Sequence, residues 1–159
     1  MNENYHFFWN GPFSQWHYSK FKDTEGKQFV TAEQYMMYHK ALTFGDTEIA
    51  EQIMKTYIPS VQKGLGRQVK NFNPDTWNTV AKTIVYRGNK YKFTQNEHLL
   101  KELMATADKT LVEASPYDTI WGIGLSEDVA IITPPAEWKG TNWLGEVLTQ
   151  LRDDLRAEK

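Results

Sequence analysis

The stretch "TAEQYMMYHKALTF", Thr31 to Phe44, decides the fold. Thr31 has the chemistry of a helix N-cap, because its hydroxyl oxygen can accept a bond from first-turn N–H groups. The residues after it read as one α-helix, ended by Gly45. Glu33 and Lys40 are seven apart in it. That is roughly 700° of helical rotation, so they point within roughly 20° of each other, about two turns apart. Met37 and Phe44 share their face. An acid and a lysine on an otherwise apolar stripe have two readings. One is a surface ion-pair face. The other is a carboxylate and an amine projecting into a cleft, where each would need a partner if buried. A desolvated lysine can act as a nucleophile toward a sugar C1 or as a base. A carboxylate beside it can orient a ribose hydroxyl or stabilise a developing oxocarbenium ion. His39, on the next stripe with Tyr35, reads as a packing residue.

Working outward, "YHFFW" reads as a short apolar strand and "DTEGKQFV" as a turn leading into a second. "DTEIAEQIMKTY" reads as a helix started by Asp46 and stopped before Pro59. "SVQKGLGRQV" is a short helical piece or loop. Asn73 and Pro74 supply a cap followed by proline at the first helical position. Trp77, Val80, Ala81, Ile84 and Val85 then repeat at helical spacing, so a long helix is expected to about Arg87, with Gly88 and Asn89 interrupting it. "NEHLLKELMATA" is another amphipathic helix, and "TLVEA" a short strand. The last helix carries Leu144, Val147, Leu148, Leu151 and Leu155 as an apolar stripe. Helices dominate and no repeat or linker divides them. The fold class is α+β, predominantly helical, a single compact domain over 1–159 with a few short strands.

Bulk composition narrows the function. The 159 residues suit one domain, and 40% apolar content supplies a core. Eighteen basic and twenty acidic residues give a net charge of −2, so no whole-protein basic field holds nucleic acid non-specifically. The absence of cysteine excludes disulfides, thiolate nucleophiles and cysteine-ligated zinc. No histidine–carboxylate spacing suggests a metal site. The opening "MNENYHFFWNGPF" lacks a charged region followed by an apolar run, and no run approaches a membrane span, so a cytoplasmic location with no membrane contact is expected. Aromatic residues make up 14%, with six Trp. Four of these lie beside Gly, Asn or Pro, which favours stacking on a flat ligand.

Three other stretches could carry chemistry. "EASPYDTIWGIG", Glu113 to Gly124, has neither a Gly-x-Gly-x-x-Gly fingerprint nor a Gly-Lys-Ser/Thr phosphate loop. It reads as a turn-rich loop, or as one holding Asp118 beside Trp121, with Gly122 letting a ligand approach the backbone. "KGTNWLGEVLTQLR" starts the final helix at Thr141 or Asn142, either as an ordinary cap or as an anion site. "YRGNKYKF" interleaves Arg87, Lys90 and Lys92 with aromatics, and "GLGR" offers Arg67. Both read first as solvated surface and second as phosphate ligands.

Taken together these pieces resemble the NADAR, or YbiA-like, family from about Phe13 to Leu155. The matching elements are Phe13-Ser14-Gln15-Trp16; Thr31 with Glu33, Tyr35 and Lys40; Gly66-Arg67; Lys92-Phe93; Leu111-Val112-Glu113 with Asp118, Trp121 and Gly122; and Gly140, Asn142, Leu144, Gly145, Leu148 and Arg152. Gln15 stands where the family shows Asn, and Gln34 where a His is usual. The resemblance implies the YbiA-like fold and an N-glycosidase acting on ribosylated substrates. These are ADP-ribose on guanine in DNA, or ribosylamino-pyrimidine phosphates of riboflavin synthesis. It implies no cofactor and no metal. The expected partner is a small nucleotide-like molecule or ADP-ribosylated nucleic acid. Glu33, Lys40 and Asp118 are then the expected catalytic residues. Ser14, Gln15, Trp16, Arg67, Lys92, Glu113, Trp121, Gly122 and Asn142 are the expected substrate contacts, with Trp121 stacking on base or sugar and Arg67, Lys92 or Asn142 on phosphate. Asp118 and Trp121 are expected to meet Glu33 and Lys40 across one cleft. The rival reading is a non-catalytic module that binds ADP-ribose or a nucleotide.

Overall fold

The structure is a computed structural model and describes residues 4–158. They fall into two compact units. One is the middle of the chain, Gln15–Glu97; the other joins the two ends, up to Ser14 and from His98. Helices dominate both, as the patterning predicts.

The middle unit opens with a hairpin of β2 (Phe21–Lys22) and β3 (Gln28–Phe29), antiparallel with Phe21 opposite Phe29. Asp23 ties its turn, accepting the Glu25 and Lys27 N–H groups at 3.0 and 2.9 Å. Four helices follow: α1 (Ala32–Thr43), α2 (Thr47–Met54), α3 (Pro59–Gly66) and α4 (Pro74–Thr94). The Thr31 hydroxyl caps α1 by accepting from Gln34 N at 3.0 Å, and Asp46 caps α2 through Ile49 N at 3.1 Å. Asn73 caps α4, with Pro74 at its first position. The α1 helix packs on α2, α3 and α4. Its Tyr35 lies against Phe21 and Phe29, which stack at 5.5 Å in the hairpin.

The α4 helix corrects the sequence reading, because Gly88 and Asn89 do not interrupt it. A Cβ on Gly88 would fall 2.6 Å from the Tyr35 ring. The glycine is there to let α1 and α4 approach, and that tertiary contact outweighs its helix penalty of about 1 kcal/mol.

The end unit pairs β1 (Tyr5–Phe8) with β4 (Thr110–Glu113) in parallel, Tyr5 opposite Thr110 and Phe8 opposite Glu113. Parallel strands need a long crossover connection, and here the whole middle of the chain lies between them in sequence. Helix α7 (Trp143–Ala157) packs on β4. Val112, Ile123, Leu125 and Ala130 form a buried cluster, flanked by Tyr5, Phe7 and Trp138. Helix α5 spans Glu97–Met104, and the short α6 (Glu127–Ala130) and a 3-10 turn at Pro135–Glu137 complete the order. Among the described residues no helix is long and apolar enough to cross a membrane.

His39 packs as expected, with its ring 4.3 Å from Tyr35 and 5.2 Å from Tyr38. Its Nε2 is buried without a hydrogen-bond partner. Burial first, then the Arg87 charge, push its pKa down to about 4, against a weaker pull from Asp23. The unfolded chain therefore takes up a proton between pH 6.5 and 4 that the folded chain refuses, and stability is lost as pH falls through that window. Thermal melts of the wild type and His39→Phe at pH 7 and pH 4.5 check this. The wild type should lose more Tm on acidification than the variant; equal losses would remove His39 from the acid response.

Candidate active site

In the middle unit the α1 helix carries the acid and the amine. Glu33 occupies its first turn, is buried to 7% exposure, and its N–H donates to the Gln15 carbonyl at 3.0 Å. Lys40 lies in the last turn and is half-buried. Burial holds its amine below the usual lysine range; the Glu33 carboxylate pulls it back up, and the Arg67 charge pushes it further down. Lys40 Nζ sits 4.6 Å from the centroid of the half-exposed Phe72 ring. Lys40 thus feels the charges of both Glu33 and Arg67, and Arg67, at the C-cap of α3, remains exposed. Each unit by which a lysine pKa falls raises its neutral fraction near pH 7 about tenfold. A half-desolvated amine within electrostatic reach of a buried carboxylate therefore has both a lone pair to offer and a counter-charge on the same helix for a cation formed near it.

Gln15 and Trp16 belong to the same unit, where the Gln15 carbonyl accepts the Glu33 N–H at the start of α1. Gln15 is buried, whereas Trp16 is 45% exposed, with Lys63 Nζ 6.0 Å from its ring centroid. Lys63 and Arg67 are four residues apart on α3 and share a face. Lys92 is different in kind: it is fully buried, and burial lowers its amine to about pKa 7. Enclosure of that sort suits a structural amine better than a phosphate ligand, which has to be reached from solvent.

In the end unit, Ser14 N–H donates to the Gly11 carbonyl at 3.0 Å. Asp118 organises its own loop. Its Oδ1 accepts from Ile120 N at 2.9 Å and Trp121 N at 2.8 Å, and its N–H donates to Ser115 Oγ at 3.2 Å. Trp121 packs edge-on to Trp143 at 5.5 Å. The loop carbonyls of Thr119, Ile120, Trp121 and Gly122 accept the N–H groups of Thr141, Trp143, Leu144 and Asn142, at 2.9–3.1 Å. The N–H groups that the sequence left open to an anion at the start of α7 are therefore spent on the chain's own loop.

The Asn142 side chain does not cap that helix. Its residue is left-handed, with φ 55°, and its amide grips β4 at both ends, accepting from Glu113 N at 2.9 Å and donating to the Leu111 carbonyl at 3.0 Å. Gly122 faces its own chain, because a Cβ there would lie 3.0 Å from the Asp118 and Glu113 carbonyls. Among the described residues no cluster of three or more His, Asp or Glu is arranged to hold a metal ion. Sequence reasoning missed Phe72 beneath Lys40, Lys63 beside Trp16, and Asn89, which is bonded to Gln15. Only Lys63 had a signal, its spacing of four from Arg67.

Comparisons with known proteins place the chain in a family. The N-glycosidase R617 of Acanthamoeba polyphaga mimivirus is 47% identical over 146 residues, covering 89% of this chain and 86% of that protein. The N-glycosidase YbiA of Escherichia coli strain K12 is 31% identical over 135 residues, 85% of this chain and 76% of that one. The NMR structure of E. coli YbiA superposes with a TM-score of 0.79 at 29% identity, covering 99% of this chain and 88% of that chain. The chloroplastic riboflavin biosynthesis protein PYRR of Zea mays is 31% identical over 156 residues, 91% of this chain but 23% of the maize protein. The NADAR domain matches residues 7–156, nearly the whole length, and the chain belongs to that family.

Proposed function

We propose that this chain is an N-glycosidase that cleaves the bond between a base and the C1 carbon of a phosphorylated ribose, with Lys40 as nucleophile and Glu33 as the charge that stabilises C1. Its relatives R617 and YbiA are named N-glycosidases, so hydrolysis of an N-glycosyl bond is the class the family shares. The observation that carries the residue roles is the half-desolvated Lys40 amine coupled to the buried Glu33 carboxylate on one helix.

In the reaction the neutral Lys40 amine attacks C1. The N-glycosidic bond breaks, and the base leaves with the bonding electron pair and takes up a proton. Positive charge builds at C1 and its ring oxygen, and the Glu33 carboxylate stabilises it. Ring opening gives an imine between Lys40 and C1, and water then releases the sugar and restores the amine. The exposed Trp16 ring offers a stacking face for the base, and Arg67 offers its guanidinium to the phosphate.

The substrate we favour is a ribosylamino-pyrimidine phosphate, the reading that the riboflavin name of the maize relative supports. The pairing of Lys63 with Arg67 on one face of α3 supports a second one, the diphosphate of ADP-ribose attached to guanine. Borohydride reduction during turnover of either substrate should trap a covalent adduct on the wild type and none on Lys40→Arg. A Lys40→Arg variant that is fully active and leaves no adduct in either protein would end the nucleophilic role. Ligand-induced thermal stabilisation with no base released from either substrate would instead show a binding module.

A further inference from the structure

Asn89 lies wholly buried in α4, one turn beyond Val85. Its Nδ2 donates twice, to the Val85 carbonyl at 2.9 Å and to Gln15 Oε1 at 2.9 Å. Its Oδ1 is buried with no partner. A buried acceptor left unpaired costs stability, so the residue's place in the core calls for another reason. The two donated bonds supply it. The Val85 carbonyl can only accept, so it fixes which end of the Asn89 amide is the donor. Asn89 then forces Gln15 to present its oxygen inward. Gln15 Nε2 is left with one described protein partner, the Met36 thioether at 3.6 Å, which is a weak acceptor for a group that carries two protons. The Gln15 backbone is anchored separately, its carbonyl accepting the Glu33 N–H at 3.0 Å. Gln15 is thus held against the turn that carries the catalytic acid, adjoining the exposed Trp16, with a spare N–H donor.

We infer that Asn89 is a positioning residue that makes Gln15 a donor of fixed sense, and that Gln15 Nε2 reads an oxygen acceptor on the base, selecting bases with a ring carbonyl. This rests on the N-glycosidase reading for the location of the site, and its test is binding rather than turnover. A buried carboxamide left free to flip could serve donor or acceptor groups alike; Asn89 removes that freedom. The selectivity follows from leaving a polar group unpaired when the base lacks the carbonyl.

Calorimetric binding of inosine 5'-monophosphate and of ribose 5-phosphate to the full chain tests it. The first probe carries a ring carbonyl on its base, and the second has no base. Gln15→Glu keeps the oxygen that Asn89 binds and removes the donor. It should weaken inosine monophosphate about tenfold and leave ribose 5-phosphate within twofold. Asn89→Leu, where it folds, should weaken inosine monophosphate several-fold with the same selectivity, and should reduce the further effect of Gln15→Glu. Equal weakening of both probes in Gln15→Glu, no weakening of either, or no binding of inosine monophosphate to the wild type would each overturn the inference. Trapping of the Lys40 adduct reads the N-glycosidase reaction separately, so failure here and failure there are told apart.

Discussion

Replacing Glu33 with glutamine is expected to lower kcat/KM by at least about 100-fold at neutral pH, the usual size of a lost preorganised charge at a transition state. The substitution keeps the side chain's volume and its capacity to hydrogen-bond, and it leaves the backbone bond to Gln15 untouched. What disappears is the negative charge, and two consequences oppose each other. Glu33 holds the Lys40 pKa up against burial, so removing it lowers that pKa and frees more neutral amine. Against this stands the lost stabilisation of positive charge at C1, worth about 2.7–4 kcal/mol in comparable cases. The gain in amine operates only below the Lys40 pKa and vanishes where the amine is already neutral. The loss operates at every pH. The net effect is therefore a deficit that grows toward alkaline pH, with the alkaline rise of the pH–rate profile displaced to lower pH in the variant. Steady-state rates across pH 6 to 10 measure both features. Activity within tenfold of wild type throughout would demote Glu33 to a packing residue.

The parts legible in the sequence were those that local chemistry determines. Thr31, Asp46 and Asn73 cap helices where a hydroxyl, carboxylate or amide precedes a periodic run. The stripe of Leu144, Val147, Leu148 and Leu151 turns inward as its spacing requires. The seven-residue interval between Glu33 and Lys40 brought them within electrostatic reach. Illegible were the parts that depend on which distant atom takes a given lone pair. Asp118 and Asn142 have the residue types of ligand contacts. Yet the Asp118 Oδ1 and both ends of the Asn142 amide are bound to backbone, and nothing in their spacing announces it. Gly88 is a helix breaker by propensity and a packing device in fact, because the ring that needs its space is Tyr35, far away in sequence. Lys92 sits in a basic, aromatic octapeptide that suggests surface, and only the packing around α4 encloses it. The parallel pairing of β1 with β4 joins segments separated by the whole middle unit, beyond any local pattern.

Gly145 carries the largest expected effect on stability. An alanine inside a helix ordinarily gains about 1 kcal/mol over glycine. Here its Cβ would fall 2.1 Å from the Leu111 carbonyl oxygen and 2.4 Å from both polar atoms of the Asn142 amide. None of these can retreat freely. The Leu111 N–H donates to Thr149 Oγ1 at 2.9 Å, and that hydroxyl donates to the Gly145 carbonyl at 2.7 Å, so β4 is latched to α7 at that residue. Asn142 is held to β4 by both ends of its amide. To admit one methyl group, α7 must lift off β4. That costs about 1–3 kcal/mol of overpacking strain and about 1 kcal/mol for each buried hydrogen bond that lengthens or breaks. Set against the helix-propensity gain, the net loss for Gly145→Ala is about 3 kcal/mol, or a fall in Tm of roughly 10 °C for a domain of this size. Gly64 is the control. It lies in α3 with nothing within 4 Å of its would-be Cβ. Gly64→Ala should therefore be neutral or stabilising by up to about 1 kcal/mol. Urea unfolding of both variants beside the wild type separates the two cases. If Gly145→Ala lost less than Gly64→Ala gained, the close seating of α7 on β4 could not be what the glycine serves.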